Sequence, residues 1–298
     1  MRLLTRWIIS LLIYFQAPLF AEHFLTYIIP CYNCAPWIQQ AVDSIYEQHT
    51  LSCPFEVICT DDGSTDNTFA LLSSLSLAHP NLHVFRHTQN RGGGAARNTC
   101  VAQAKGDLLF CLDADNVLVP NTVQQLIEHM DKTGCEAVAF GGVFYFVNNF
   151  ERVGFFNYDT PHQKYELIDV LQRANSPPWS GNYLFTKASF LRAGGYPEVW
   201  SVDTFAFGLR QVLSKTAITY VPNTFYFHRH GIESYYVRES RSGRIQVHFF
   251  ELLLSHEELF TPETVLLIRK HKNLAQSGRP FWDQIWFLQK KLIQLKVE

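Results

Sequence analysis

The chain has 298 residues, 47% of them hydrophobic and 17% charged, which is enough for one large globular domain or for a domain with an appendage. A formal net charge of −2, without a long basic run, excludes nucleic acid as the main partner. Seven scattered cysteines contain a single CxxC spacing, which excludes a zinc site built from two CxxC units.

The first 22 residues have the outline of a signal peptide or a membrane anchor. Arg2 and Arg6 precede an uncharged apolar stretch from Trp7 to Ala21, which is shorter than the roughly 20 residues of a membrane span. Cleavage, anchoring and burial as a first helix stay open. This segment favours membrane association, with a cytoplasmic or secreted protein as the alternatives. The odd number of cysteines, several of them in apolar runs, indicates a reducing compartment instead.

Strands and helices alternate from residue 23 onward, in a domain predicted to span residues 23–240. The hydrophobic periodicity predicts strands over 24–30, 55–62, 82–87 and 107–115, and helices over 36–48, 64–77, 93–106 and a stretch after Pro120. Such alternation is typical of an α/β fold with a mostly parallel central sheet and helices on both faces.

The pattern changes after about residue 137. The segments "AVAFGGVFYFVNN" and "RVGFFNY" predict strands of a mixed sheet or hairpin. Residues 165–174 predict a short helix, and "NYLFT" predicts a strand followed by a helix that two glycines stop. Residues 241–298 predict a helical C-terminal extension. Its last helix has an apolar face with tryptophans beside lysines, which favours docking on the core over peripheral contact with a membrane.

Polar residues follow three of the predicted parallel strands. The first strand ends in residues 30–33 (PCYN), the second in residues 61–64 (DDGS), and the fourth in Asp113 and Asp115. Ligands of such sheets lie beyond the carboxyl ends of the strands. Four carboxylates gathered there would gain from Mg²⁺ or Mn²⁺, which prefer carboxylate oxygens and commonly bring substrate phosphates. The alternative is a loop in which Asp113 caps a turn and Asp115 is solvated.

The order and spacing of these segments resemble glycosyltransferase family 2, a large inverting group with the GT-A fold. The matching segments lie in family order over roughly residues 24–200: "YIIPCYNCAPWIQQAVDSI", "FEVICTDDGSTDNT", "QNRGGGAARNTCVAQAKGDLLFCLDADN" and "SGNYLFTKASFLRAGGYPE". The resemblance implies metal-dependent, inverting transfer of a sugar from a nucleotide-diphosphate sugar to a hydroxyl of a glycan, lipid-linked or protein-linked acceptor.

The resemblance also implies a role for each matching position. Donor-binding positions line the nucleoside, hold the base and ribose, or supply charge near the diphosphate; they are Pro30, Tyr32, Asp61, Asp62, Arg91, Arg97 and Asp113. The metal positions are Asp115, assisted by Asp113, and His230, with His228 as a close competitor. The glycines after Arg91 would let backbone N–H groups approach an anion at a helix N-terminus.

Inverting transfer needs a general base for the acceptor hydroxyl. In the family this base is an acidic residue shortly after a Gly-Gly-aromatic turn, often within a Glu-Asp pair. Asp203 is the best match, although Val202 stands where the glutamate of the pair would be. Glu198 is the rival candidate.

Two other classes of function remain. Val202 leaves open a catalytically inactive relative that binds nucleotide sugars without turnover. Cys31 and Cys34 lie between a strand and a helix, the context of a thioredoxin-like CxxC redox motif. A redox protein would leave the acidic strand ends unexplained.

Overall fold

The computed structural model describes residues 22–147, 150–158, 165, 181–198, 202–230 and 244–277. Apart from Glu22 and Tyr165, the N-terminal signal-like segment and the predicted helix at 165–174 lie outside the described residues, as does the final predicted helix. Within the described ranges, no helix has the length and apolar character needed to cross a membrane.

The N-terminal half is built from parallel strands joined by helices, as predicted. Its elements in chain order are β1 (Leu25–Cys31), α1 (Ile38–Tyr46), β2 (Phe55–Asp61), α2 (Thr68–Ala78), β3 (Leu82–Arg86), α3 (Gly93–Gln103), β4 (Leu108–Cys111), β5 (Val117–Leu118) and α4 (Thr122–Thr133). Strand β1 pairs in parallel with both β2 and β4, and β2 pairs in parallel with β3. The carboxyl ends of β1, β2 and β4 therefore meet at one edge of the sheet.

The second half makes the sheet mixed. It contains β6 (Ala137–Phe146), β7 (Arg152–Asn157), β8 (Tyr183–Thr186), α5 (Lys187–Arg192), α6 (Asp203–Leu213), β9 (Ile218–Arg229), α7 (Arg244–Leu254), a short 3₁₀ turn (Glu257–Leu259) and α8 (Pro262–Gln276). The sheet order is β3-β2-β1-β4-β8-β6-β9-β5, with β7 on β6. Strand β8 pairs antiparallel with β4 and β6, whereas β9 runs parallel to β6. The predicted α/β class is confirmed.

Helices cover both faces of the sheet and bury two apolar clusters. In β1, Ile28 belongs to one cluster, while Tyr27 and Ile29 belong to the other, because successive side chains of a strand point to opposite faces. Helices α1 and α4 pack on the face of Tyr27. Helices α3, α6, α7 and α8 contribute to the cluster of Ile28, so the described part of the C-terminal extension shares the core of the domain.

The fourth strand ends earlier than predicted. Strand β4 stops at Cys111, and residues 112–116 leave the strand through a turn in which the Asn116 amide donates to the Asp113 carbonyl at 3.0 Å. The predicted strand over 107–115 is therefore wrong at its C-terminal end. Asp113 and Asp115 therefore lie in a turn and not on one face of a strand, and the two residues have different hydrogen-bond partners.

His23 connects the start of the fold to two other elements. Its Nδ1 lies 2.6 Å from Asp107 Oδ2, and its Nε2 lies 2.9 Å from Asp131 Oδ1. Burial lowers the pKa of His23, but the hydrogen bonds and charges of the two carboxylates outweigh burial, so the pKa is raised above its ordinary value. The charged imidazole is therefore a stabilising link between residue 23, the start of β4 and α4.

A pH-dependent stability follows from this raised pKa. The link is fully present below the unfolded-state pKa of histidine, about 6.5, and is lost as pH rises through the higher folded-state pKa. We expect His23→Gln to reduce the free energy of unfolding more at about pH 6 than at about pH 9. Chemical denaturation at both pH values measures the difference, with the exposed His49→Gln as control. An equal loss at both pH values would contradict the charged link.

Candidate active site

Arg97 ties together three parts of the chain at the carboxyl edge of the sheet. It lies on α3, and its side chain is 8% exposed. Its Nη2 donates to Asp113 Oδ1 at 2.6 Å, its Nη1 donates to Asp203 Oδ2 at 2.5 Å, and its Nε donates to Cys111 Sγ at 3.4 Å. One guanidinium therefore holds the predicted metal-side carboxylate and the predicted base on adjacent nitrogens.

Asp203 opens α6, and its side chain is 14% exposed. Burial raises the pKa of Asp203, and the positive charge of Arg97 works against this increase. Burial also acts against the charged form of Arg97, but Asp203 and Asp113 raise the pKa of the guanidinium well above its ordinary range. Asp203 thus remains an ion-paired carboxylate that accepts a proton more readily than an exposed aspartate would.

The glycines before Arg97 allow α3 to approach the start of α6. A Cβ on Gly93 would lie 2.7 Å from Arg97 Nη1 and 3.1 Å from Asp203 Oδ2. A Cβ on Gly94 would lie 2.3 Å from the Pro197 carbonyl oxygen and 3.3 Å from Asp203 Cβ. Neither position has room for a side chain, so the Arg97–Asp203 contact depends on glycine at residues 93 and 94.

Replacing Gly94 with alanine is therefore expected to weaken both the fold and the site. The added methyl would separate α3 from α6, and overpacking of this kind costs about 1–3 kcal/mol of unfolding free energy. Denaturant titration and turnover measure the two effects. Gly154→Ala is the matched control, because its Cβ would find its nearest neighbour at 3.6 Å. Wild-type stability and turnover in Gly94→Ala would show that the close approach is not needed.

Asp113 is fixed from a second side by the start of β8. Its backbone amide donates to Asn182 Oδ1 at 2.7 Å, and Asn182 Nδ2 donates to Asp113 Oδ2 at 3.1 Å. A Cβ on Gly181 would lie 2.7 Å from the same Oδ2. Both oxygens of Asp113 are thus oriented by protein donors, and each keeps a lone pair for a further partner.

Asp115 is the carboxylate with fewest partners in this turn. Burial, and next the charge of Asp113, raise the pKa of Asp115 to about 7. Within the described residues, no other side chain donates a hydrogen bond to its carboxylate. Arg229 Nε bonds the Asp115 backbone carbonyl at 3.1 Å instead. A carboxyl with this pKa is largely protonated below neutral pH, and a cation bound beside it would favour the ionised form.

A divalent cation fits this donor set. The described part of the chain contains no group of three His, Cys, Asp or Glu side chains that could hold a metal by themselves. Mg²⁺ is usually held by one or two carboxylates, with substrate phosphates and water completing its shell. Asp115 and the remaining lone pairs of Asp113 would provide those carboxylate oxygens.

Asp61 and Asp62 have different surroundings. Asp61 is fully buried; its Oδ1 accepts from the Ser64 amide at 3.1 Å, and Arg86 Nε lies 2.9 Å from its Oδ2. Asp62 Oδ1 accepts from the Arg91 amide at 2.9 Å, and its Oδ2 accepts from the Gly92 amide at 2.7 Å. The backbone N–H groups of Arg91 and Gly92, which the sequence predicts to approach a bound anion, thus donate to the carboxylate of Asp62. Asp62 thereby fixes the conformation of the loop.

The remaining predicted donor residues line the outer part of this edge. Pro30 lies in β1, and Tyr32, in the loop after it, is 42% exposed. Asn33 Oδ1 accepts from the Thr65 amide at 2.9 Å, which joins the loops that follow β1 and β2. Arg91 Nη2 lies 3.3 Å from Glu198 Oε2, and both side chains are about half exposed. Glu198 is thus outside the Arg97 cluster that contains Asp203.

The two histidine candidates lie at the end of β9. The ring of Tyr145 lies 5.4 Å from that of His228 and 6.0 Å from that of His230. Burial lowers the pKa of His228, and the charge of Asp113 opposes that decrease. His228 is therefore within electrostatic reach of Asp113, while His230 is exposed just beyond the strand.

The CxxC pair lacks the character of a redox centre. Both thiols are buried, Cys31 at 1% and Cys34 at 5% exposure. Burial raises the pKa of Cys31 well above its ordinary value. Since the thiolate is the reactive species, this environment disfavours thiol–disulfide exchange.

Two contacts of the site were missed by the sequence patterns. Asn182 precedes β8, and only the antiparallel pairing of β8 with β4 brings it to Asp113. Arg229 lies between the two histidines that carried the family match, and β9 brings it to Asp115. Both depend on strand pairings between distant segments, for which the chain carries no local signal.

Comparisons with known proteins agree with this architecture. A family model described as "Glycosyl transferase family 2" matches residues 26–195, more than half of the chain. A curated relative, the succinoglycan biosynthesis protein ExoO of Rhizobium meliloti, is 31% identical over 112 residues. That match covers 38% of this chain and 31% of the relative.

Two solved structures resemble the whole fold. The S. aureus protein TarS in complex with UDP-GlcNAc is 16% identical, with a TM-score of 0.64 over 89% of this chain and 79% of that chain. The mannosyltransferase PcManGT of Pyrobaculum calidifontis, in complex with GDP-Man and Mn²⁺, is 21% identical, with a TM-score of 0.60 over 86% of this chain and 74% of that chain. At these identities the likeness establishes the fold, and it confirms the predicted GT-A architecture.

Proposed function

This chain belongs to glycosyl transferase family 2, and we propose that it is a nucleotide-sugar glycosyltransferase. It transfers the sugar with inversion, using Mn²⁺ or Mg²⁺, to a hydroxyl of a glycan or lipid-linked acceptor. The observation that carries this proposal is the Arg97 guanidinium, which binds Asp203 and Asp113 at the same time. A mostly buried proton acceptor is thereby held beside Asp113, one of the two proposed metal carboxylates. Direct displacement at a sugar carbon needs both groups at one place.

The proposed step is a single displacement. Asp203 accepts the proton of the acceptor hydroxyl as its oxygen forms a bond to the anomeric carbon. The bond between that carbon and the diphosphate oxygen breaks, and its electron pair leaves with the nucleoside diphosphate. Arg97 keeps Asp203 ionised and oriented for this transfer.

Asp115 and Asp113 are the proposed metal ligands. His230, or His228 beside it, is assigned to the side of the departing diphosphate, since neither histidine forms a three-ligand group with the two carboxylates in the described part of the chain. A bound divalent cation would neutralise charge developing on the departing diphosphate. Asn182 and Arg97 fix the orientation of Asp113, so the carboxylate needs little rearrangement when the cation binds. In functional metal sites the ligating carboxylates are typically oriented in this way by hydrogen bonds from neighbouring residues.

The donor would occupy the groove beyond β1 and β2. We assign Pro30 and Tyr32 to the nucleoside and Arg91 to the diphosphate side. Asp61, which is fully buried, would act on the base and ribose through the groups that it holds, the Ser64 amide and Arg86. Asp62 is assigned to the ribose edge through the loop that it holds. The exposed face of Tyr32 and the exposed guanidinium of Arg91 support these roles, since both can contact a ligand without rearrangement of the core.

The acceptor and the place of action are expectations. The name of the succinoglycan relative supports a glycan acceptor, and the proposal does not extend to nucleic acid. Peripheral membrane contact through the N-terminal segment or the last helix would favour a lipid-linked acceptor. Deletion of residues 280–298, with unchanged membrane partition in cells, would remove the C-terminal helix from that role.

A panel of nucleotide sugars tests the proposed donor and metal. UDP-glucose, UDP-GlcNAc and GDP-mannose are added with and without Mn²⁺, and thermal stability and donor hydrolysis are measured in the same samples. We expect one donor to raise the melting temperature only with Mn²⁺ and to be hydrolysed slowly. A metal-dependent shift without hydrolysis or transfer would support the inactive relative, which Val202 at the family's glutamate position allows. No shift with any donor would contradict the proposed function.

A further inference from the structure

Arg229 is a buried arginine that contacts the metal-side turn at Asp115, whereas Arg97 contacts this turn at Asp113. It is the last residue of β9 and is 6% exposed. Its Nε donates to the Asp115 carbonyl at 3.1 Å, and its Nη2 donates to Gln40 Oε1 at 2.5 Å. Its guanidinium carbon lies 4.5 Å from the centre of the Phe146 ring. Four elements of the fold therefore meet at this one side chain.

The backbone of Arg229 holds the same turn. Its amide donates to Asn116 Oδ1 at 3.2 Å, and the next residues of the turn form β5, in which Val117 pairs with Phe227 of β9. The segment that carries Asp113 and Asp115 is thus fixed at its start by Arg97 and Asn182 and at its end by Arg229. Among the described residues, the Asp115 side chain has no such anchor of its own, so its direction depends on its backbone.

We propose that Arg229 is a positioning residue for the metal site: it fixes the Asp115 backbone so that the carboxylate faces the cation and the diphosphate. This inference rests on the proposed function. Arg229 acts through the Asp115 carbonyl and is not assigned any contact with the donor. The planar guanidinium can bond Asp115 and Gln40 together while stacking on Phe146, a combination that a lysine ammonium cannot reproduce.

The test uses three variants of the full chain and measures metal binding directly. Arg229→Lys keeps the charge but loses the fixed geometry, Arg229→Gln removes the charge, and Gln40→Ala removes one anchor of the guanidinium. Arg192→Gln is the matched control, because Arg192 also bonds a backbone carbonyl, that of Ser214 at 3.0 Å, and a carboxylate, that of Glu136 at 2.7 Å, away from the site. Binding of Mn²⁺ is followed by electron paramagnetic resonance in the presence of UDP and, in parallel, of GDP.

We expect the dissociation constant for Mn²⁺ to rise about 10- to 100-fold in both Arg229 variants, the usual effect of losing a residue that orients a metal ligand. Gln40→Ala should shift it in the same direction by less, and Arg192→Gln should leave it unchanged. Activity should show a raised Mn²⁺ requirement with a smaller change in kcat at saturating Mn²⁺. If Arg229 had a purely structural role, its variants would lose stability without a larger effect on the Mn²⁺ requirement than on kcat.

The outcomes separate this inference from the proposed function. If the wild type binds Mn²⁺ with a nucleoside diphosphate and folded Arg229 variants bind it equally well, the positioning role is wrong while the function stands. If Arg229→Gln does not fold, unchanged Mn²⁺ binding in Gln40→Ala and Arg229→Lys overturns the role. If the wild type transfers sugar without binding Mn²⁺, the metal site and the role of Arg229 fail together.

Discussion

Asp203→Asn is expected to slow sugar transfer by about 10²- to 10⁴-fold, the usual contribution of a general base. Asparagine keeps an oxygen that can accept the Arg97 Nη1 hydrogen bond, so the cluster should stay assembled, but it cannot take the proton of the acceptor hydroxyl. Donor affinity should change little. Turnover and a separate donor titration distinguish the two effects.

The rival base provides the control for this prediction. Glu198→Gln should keep turnover within a few-fold. Glu198 is half exposed, and among the described residues its ion pair is with the exposed Arg91; such surface pairs contribute about 0–1 kcal/mol. Any effect should fall on the KM for the donor through Arg91. The assignment is reversed if Glu198→Gln abolishes transfer while Asp203→Asn remains active.

Asp115→Asn is expected to reduce metal-dependent transfer by at least about 100-fold, since it removes the proposed charged ligand of the cation. The change is nearly isosteric, and asparagine in a buried site removes a charge that burial disfavours, so the fold should be retained. Initial rates over a range of Mn²⁺ concentrations measure the loss. Asp43→Asn, an exposed aspartate on α1, is the control. Near-normal turnover of Asp115→Asn or Asp115→Ala in chelated buffer would contradict the metal site.

The raised pKa of Asp115 adds a pH dependence to the wild type. Without a cation the carboxyl is protonated below its pKa of about 7, and only the ionised form binds a metal. The Mn²⁺ concentration for half-maximal rate should therefore rise by roughly tenfold for each pH unit below that value. Above pH 8 it should level off. A flat metal requirement between pH 5.5 and pH 8 would show that the titration of Asp115 is not linked to metal binding.

The N-terminal part of the fold could be predicted because its signals are local. Strands β1 and β2 are mostly apolar runs followed by polar residues at 30–33 and 61–62, and helix α1 has a clear apolar face. Parallel strands place their carboxyl ends together whatever the details of the loops. The meeting of these strand ends at one edge of the sheet could therefore be predicted from the sequence.

Other parts depend on contacts between distant segments. Helix α6 begins at Asp203 without a side-chain cap after Val202, so the chain carries no start signal there. Strand β9 is interrupted by Pro222 and by Asn223 with a positive φ of 61°, next to a change of register in β6. Such features interrupt the alternation of apolar and polar residues by which a long strand is predicted from sequence.

For Arg97, the resemblance to the family predicts the position of the residue but not its contacts. The resemblance places Arg97 on the donor side, and the structure shows its three donor groups bonded to Asp203, Asp113 and Cys111. Sequence spacing identifies the position, but the two ion pairs depend on the approach of α3 to α6 over Gly93 and Gly94. A donor contact of Arg97 stays a prediction, whereas its contacts with both carboxylates are structural facts.

A structure of the protein with Mn²⁺ and its nucleoside diphosphate, with the metal located by anomalous scattering, tests the central claim most directly. The metal site described above predicts one anomalous peak within coordination distance of an Asp115 carboxylate oxygen, with diphosphate oxygens on its other side and Asp203 facing the space left for the sugar. A peak remote from Asp113 and Asp115, or a diphosphate bound without any metal between it and these carboxylates, would contradict it.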